Sequence, residues 1–113
     1  MSFQAQGMRA WLLQRLTAVY IALYLISLIA WCFSQAPIAY DAWSQWFHHP
    51  VVLIATILFY FSLFIHAWVG VRDIMVDYVK PSSVRFIALV GLAVFISVMT
   101  IWLLLIVINL VQA

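Results

Sequence analysis

His66 is the residue whose type and setting most strongly suggest chemistry, because it interrupts the apolar stretch FYFSLFIHAWVGV. If this stretch is helical, Ser62 and Gly70 lie one turn to either side of it, and both are small. An ionisable side chain in an apolar layer is costly unless it has a partner. A flat ligand such as a porphyrin could approach here, with the neutral imidazole binding its iron. The structural alternative is a hydrogen bond across a helix–helix contact.

Six-coordinate haem iron requires a second axial ligand, and the other histidines of the chain are poorly placed to supply it. His48 and His49 flank Pro50, at the far end of the apolar stretch that leads to His66. A second histidine ligand would therefore come from another chain.

The polar segment RDIMVDYVKP follows this stretch. Asp77 lies eleven residues after His66, three helical turns on, so both share a face if the helix continues. Tyr78, with its apolar ring and one O–H group, suits hydrogen bonding to a ligand at the membrane edge. Alternatively, the segment is a solvated helix end where Lys80 offsets the carboxylates and favours the helix dipole. The spacing by itself favours this second interpretation.

Two arginines precede the first long apolar run, Arg9 and then Arg15 in the stretch LLQRLTAVY. Arginine stems can lie along apolar surface while the charged heads reach water. From the sequence alone we interpret both residues as positive anchors at the membrane surface.

Helices in a membrane must position these residues, because the composition excludes a soluble globular protein. Of the 113 residues, 69% are hydrophobic and 7% are charged, whereas a soluble domain has about 25% charged residues. Three long runs contain no Asp, Glu, Lys or Arg: 16–40, 42–71 and 86–113. Each run holds one helix of the roughly 20 residues needed to cross a bilayer. We predict an all-α integral membrane protein, a single domain over 1–113, with transmembrane helices at about 16–33, 51–71 and 86–107.

The first connection carries aromatic residues at helical spacing, namely Tyr40, Trp43, Trp46 and Phe47. Tyrosine and tryptophan favour the headgroup region of a bilayer. The spacing therefore predicts a short interfacial segment between the first two transmembrane helices.

The basic residues predict the orientation. All five lie before the first helix or between the second and third: Arg9, Arg15, Arg72, Lys80 and Arg85. The first connection and the C-terminal tail contain neither Lys nor Arg. By the positive-inside rule, the N-terminus and second connection are cytoplasmic and the C-terminus lies outside.

Several other classes of protein fit the sequence poorly. The net charge of +2 is small and scattered, which excludes nucleic acid as a partner. The lone Cys32 excludes an intrachain disulfide. A small multidrug transporter needs an intramembrane carboxylate, and the predicted helices contain none. The segment Ser34–Ala36 resembles a signal-peptide cleavage site, but the preceding apolar run is longer than usual, so we expect no cleavage.

Two short motifs carry a family resemblance, HAWVG at 66–70 and DYVKP at 77–81, both at the cytoplasmic end of the second predicted helix. In this order and spacing they resemble the hydrophobic membrane anchor subunit of bacterial succinate dehydrogenase. The start of the first helix, RLTA from Arg15 onward, is also similar. The resemblance covers nearly the whole chain and implies three helices bundled with a partner, the cytochrome b556 subunit.

The resemblance implies roles for five residues. His66 would be one axial ligand of haem b, and the cytochrome subunit would supply the second histidine. Tyr78 would donate a hydrogen bond to a ubiquinone carbonyl, and Asp77 would belong to the quinone pocket or its proton supply. Arg15 is a further candidate for quinone binding, and Arg9 for contact with the haem propionates.

The resemblance also implies an assembly in the bacterial inner membrane. A flavoprotein subunit and an iron–sulfur subunit would dock on the cytoplasmic face, where the charge pattern places Asp77 and Tyr78. The chain would thus be a subunit of a succinate:quinone oxidoreductase, without catalytic activity alone. A purely structural anchor that carries no haem remains the alternative.

Overall fold

A computed structural model describes the backbone of residues 3–112 and the side chains of residues 7–112. This part of the chain forms four helices: α1 (Phe3–Gln35), α2 (Tyr40–His48), α3 (Pro50–Tyr78) and α4 (Ser82–Gln112). Residues 3–112 contain no strand. The prediction of an all-α protein is therefore confirmed.

Three of the helices are long and apolar enough to cross a membrane, over Gly7–Gln35, Pro50–Tyr78 and Ser82–Gln112. At 1.5 Å per residue, each is more than about 40 Å long, whereas the hydrocarbon core is about 30 Å thick. Each helix therefore extends beyond the apolar layer. The finding confirms a multi-pass membrane protein with three spanning helices, each containing one predicted span.

The predicted interfacial segment forms the separate helix α2, a nine-residue element between α1 and α3. Its Trp46 ring stacks on Trp31 of α1, with ring centroids 4.4 Å apart. Within α2, the rings of Tyr40 and Trp43 meet edge to face at 5.1 Å. Stacked aromatic pairs add about 1 kcal/mol to the burial of their surfaces, so the pair between helices helps to hold α2 against α1.

The chain divides into two compact units, the first ending at His66 and the second beginning at Ala67. In the first unit, α1 contacts α3 through side chains spaced by three and four residues along one face of α1, namely Thr17, Tyr20 and Tyr24. Tyr20 donates a hydrogen bond of 2.7 Å to the carbonyl of Ala55. Tyr24 shares a 2.8 Å hydrogen bond with Thr56 and stacks on Phe59 at 4.3 Å. Polar contacts between transmembrane helices contribute about 0.6 kcal/mol each on average.

Little of the apolar surface is covered within the chain. Among residues 7–112, the side chains classed as buried are Thr17, Val69 and Leu103. The α4 helix of the second unit exposes large residues such as Phe95 and Trp102, which are 58% and 59% exposed. Lipid tails or other membrane chains are the partners that such surfaces accept.

Candidate functional site

His66 lies on α3 and is half-buried at the contact with α1. Its Nδ1 atom lies 3.2 Å from Oγ1 of Thr17, a hydrogen-bonding distance. Thr17 is only 7% exposed, so water has little access to this contact. The hydrogen bond across a helix–helix contact, which was the structural alternative for His66, is therefore present. It engages one of the two ring nitrogens.

The second ring nitrogen of His66, Nε2, takes part in none of the hydrogen bonds found between described side chains. Within residues 7–112, no three His, Cys, Asp or Glu side chains form a cluster that could enclose a metal ion. A cage for a bare metal ion is therefore not part of the described structure. A single imidazole with a free Nε2 instead matches what an axial ligand of haem provides.

The other two histidines lie just before the first residue of α3, His48 at the end of α2 and His49 next to it. Nδ1 of His48 lies 2.6 Å from the Ser44 carbonyl, and Nδ1 of His49 accepts a 3.3 Å hydrogen bond from the Val51 amide. His66 is sixteen residues beyond Pro50, the first residue of α3, which corresponds to a helical rise of about 24 Å. Neither histidine can therefore share one iron with His66 in the same chain.

Asp77 and Tyr78 end α3, which continues without a break past the predicted membrane span. Both are exposed, and Tyr78 is 78% exposed. The helix continues unbroken from His66 to Asp77, which is the condition under which the spacing predicted a shared face. The tyrosine O–H is therefore available to a group outside this chain.

An ion pair forms one turn before Asp77, between Arg72 and Asp73, with 3.4 Å between nitrogen and oxygen. The arginine partner was not expected, because the solvated interpretation of this segment assigned Lys80 to the carboxylates. Both side chains of the pair are exposed, so it contributes little to stability. Among the described residues, Asp77 takes part in no ion pair.

The two N-terminal arginines lie exposed on α1. The guanidinium carbon of Arg15 lies 5.5 Å from the centre of the Trp11 ring, a cation–π contact. A pair of tryptophan and arginine is typical of the membrane interface. This geometry fits the interpretation of Arg15 as an anchor.

Two open grooves lie elsewhere on the first unit, towards α2. The larger has a volume of about 510 Å³ and is lined in part by Trp31, Trp46 and His49. The smaller has about 230 Å³ and is lined in part by Tyr20 and Tyr24. His66 lines neither groove, so these cavities do not belong to the candidate site.

Comparison with known proteins identifies the family of the chain. Residues 1–105 match the family described as succinate dehydrogenase/fumarate reductase transmembrane subunit. The chain belongs to this family. A similar protein, the succinate dehydrogenase hydrophobic membrane anchor subunit of Coxiella burnetii (strain RSA 493 / Nine Mile phase I), is 36% identical over 80 residues. The match covers 71% of this chain and 70% of that relative. The resemblance seen in the sequence motifs is thus confirmed.

In this succinate dehydrogenase or fumarate reductase transmembrane subunit, the structure brings some of the predicted site residues together and separates others. The structure brings His66 against α1 and separates it from His48 and His49. It places Asp77 and Tyr78 together at the exposed end of α3. Asp77 and Tyr78 thus end the same helix that carries His66.

Sequence reasoning missed two polar residues of this family member, Thr17 and Gln14. Thr17 was included only as part of the RLTA stretch, yet it contacts His66. Gln14, one turn before it on α1, has a buried Oε1 atom without a hydrogen-bond partner in the described structure. Their spacing of three residues, which places both on one face of α1, was the available signal.

Proposed function

We propose that the chain is one of two membrane subunits of a succinate:quinone oxidoreductase, where it helps to bind haem b and to form the quinone-reduction site. The observation that carries the proposal is the intramembrane His66, held through Nδ1 by Thr17. An ionisable residue kept at a helix contact, with its second nitrogen outside the described hydrogen bonds, suits a ligand better than a packing role.

The residues present fit one side of a haem. The imidazole of His66 would hold the haem through one ring nitrogen, and Ser62, one turn before it, leaves room beside the ring. The second histidine would come from the cytochrome b556 subunit, because His48 and His49 precede α3 and lie too far from His66. When bound there, haem b would supply one-electron redox chemistry. Arg9 is the candidate for contact with a propionate, since carboxylates pair well with a guanidinium.

The quinone is bound at the surface level of α3. The Tyr78 hydroxyl donates a hydrogen bond to one carbonyl of ubiquinone, and the exposed Asp77 provides a route for protons from water. Reduction of a quinone to a quinol consumes two electrons and two protons, so a carboxylate near the carbonyl serves the proton supply. Arg15 is a further candidate for this pocket on the basis of its charge at the same membrane surface.

The partners follow from the reaction. Succinate oxidation requires a flavoprotein subunit, and an iron–sulfur subunit conducts its electrons to the quinone. Both dock where the quinone is reduced, on the cytoplasmic face of the bacterial inner membrane. The concentration of Lys and Arg at this end supports the assignment. The N-terminus is then cytoplasmic and the C-terminus periplasmic, with lipid covering the remaining apolar surface.

The orientation predicts a labelling pattern for single cysteines placed in a Cys32→Ser background. A thiol reagent that does not cross membranes, applied to spheroplasts, should label Gln45→Cys in α2 but not Ser83→Cys at the start of α4. Both positions are exposed in the chain, so accessibility reports the side of the membrane. Labelling of Ser83→Cys and protection of Gln45→Cys would mean the reverse orientation. Permeabilised cells, in which both should react, are the control.

The function itself is tested by purifying the complex through a tag on this chain, in mild detergent. We expect a flavoprotein, an iron–sulfur protein and a second membrane subunit to copurify, together with reduced b-type absorption bands. Succinate should reduce both a quinone and an artificial acceptor. A complex with these subunits but without b-type bands would support the haem-free anchor instead. Purification of the chain without any of the subunits would contradict the proposal as a whole.

A further inference from the structure

The environment of Thr17 allows the proton positions around His66 to be assigned. The Thr17 hydroxyl oxygen lies 2.7 Å from the carbonyl oxygen of Leu13 and 3.1 Å from that of Gln14. The same oxygen lies 3.2 Å from Nδ1 of His66. Three polar atoms therefore surround one hydroxyl, which has a single proton to donate.

Carbonyl oxygens only accept hydrogen bonds, so the hydroxyl proton of Thr17 must point towards its own helix. The 2.7 Å contact with Leu13 is the shorter of the two, so the Leu13 carbonyl is the main acceptor of this hydrogen bond. A lone pair of the hydroxyl then faces His66. The 3.2 Å contact is a hydrogen bond only if Nδ1 carries the proton and donates it.

The opposite arrangement leaves atoms unsatisfied. If Thr17 donated its proton to Nδ1, its oxygen would remain 2.7 Å from the Leu13 carbonyl with no hydrogen between them. Two acceptor oxygens at that distance repel each other, and at 7% exposure no water is available to relieve the repulsion. The geometry therefore favours the tautomer with the proton on Nδ1.

We propose that Thr17 is a positioning residue that holds His66 in the tautomer whose Nε2 carries a lone pair and could bind haem iron. The inference rests on the proposed function, because it concerns how the ligand is prepared rather than whether it binds. A metal-bound histidine commonly donates its other N–H to an oxygen, which fixes the ring and raises the basicity of the ligand nitrogen. Thr17 supplies that oxygen from a neighbouring helix. A more basic ligand favours the oxidised iron and so lowers the midpoint potential of the haem.

The test is Thr17→Val in the complete complex, because valine keeps the branched shape and removes the hydroxyl. We expect the haem midpoint potential to rise and the low-spin ferric EPR signal to shift. We also expect the ratio of haem to flavin to fall about tenfold after dilution, in line with the usual loss of metal affinity when such a hydrogen bond is removed. Succinate oxidation with an artificial acceptor should stay at the wild-type level.

Two further variants separate the hydroxyl from the packing. Thr17→Ser keeps the hydroxyl and should restore the wild-type potential, EPR signal and haem content. Thr100→Val removes a threonine hydroxyl of α4 that bonds its own helix at 2.8 Å, and it should change none of the three. If Thr17→Ser shows the same loss as Thr17→Val, the hydroxyl is not the cause and the inference is overturned. Wild-type values in all three measurements for Thr17→Val would overturn it equally.

Failure of this inference is distinguishable from failure of the proposed function. When His66→Ala removes the haem but Thr17→Val leaves its potential, EPR signal and content unchanged, His66 is a ligand that Thr17 does not position. When His66→Ala leaves the haem spectrum intact, the ligand assignment itself is wrong, and the inference falls with it.

Discussion

His66→Ala should abolish the reduced b-type absorption bands of the purified complex. Alanine offers no nitrogen to iron, and loss of an axial ligand exceeds the tenfold to hundredfold effect typical of its hydrogen-bond partners. The haem-to-flavin ratio should therefore fall more than about a hundredfold. The measurement is a difference spectrum, dithionite-reduced minus oxidised, normalised to the flavin of the same sample.

Two other histidine substitutions provide controls for this result. His49→Ala removes an exposed imidazole at the far end of α3 and should leave the spectrum unchanged. His66→Gln retains a side chain that can hydrogen-bond to Thr17 but is a poor ligand for haem iron. If His66 only joins two helices, glutamine should preserve the spectrum. Unchanged bands in His66→Ala would show that the ligand lies elsewhere.

Tyr78→Phe should reduce the rate of quinone reduction by succinate about tenfold, while succinate oxidation by an artificial acceptor stays largely intact. The substitution removes one hydroxyl, and a hydrogen bond of this kind contributes about 1 kcal/mol or somewhat more. Because Tyr78 is 78% exposed and its hydroxyl makes no described bond, the change should not disturb folding. The measurement compares both activities in one preparation.

Tyr40→Phe is the matched control for this change. It removes a hydroxyl from a tyrosine that is 68% exposed and lies on α2, away from the end of α3. Both activities should remain at the wild-type level. An equal loss of both activities in Tyr78→Phe would indicate failed assembly, and unchanged quinone reduction would remove Tyr78 from the proposed site.

The helices could be predicted from the sequence because their signal is local. A run of about 20 residues without charge can satisfy its backbone in a bilayer only as a helix, so three runs gave three helices. The aromatic spacing in the first connection likewise predicted α2. The predicted second span ended near Val71, whereas α3 continues to Tyr78. Hydropathy marks the edge of the apolar layer, but a helix can continue into water.

The residues of the candidate site were predictable to different degrees. His66 could be recognised because a single ionisable residue in an apolar run is unusual. Asp77 and Tyr78 could be recognised from their motif and from their position beyond the span. Thr17 and Gln14 could not be assigned, because α1 is apolar on nearly all sides and its pattern does not reveal which face meets α3. The sequence around a small polar residue of α1 does not indicate which residue of another helix it will contact.

The sequence by itself determined the class of the protein and the number of its spanning helices, and it led to the prediction that His66 binds a cofactor. These properties depend on composition and on spacing within one helix. Only the tertiary structure decided that Thr17 meets His66, forty-nine residues away in the chain. It also decided which ring nitrogen that contact engages. The physical reason is that a hydrogen bond between helices depends on their rotation and separation, and many residues set these jointly through packing.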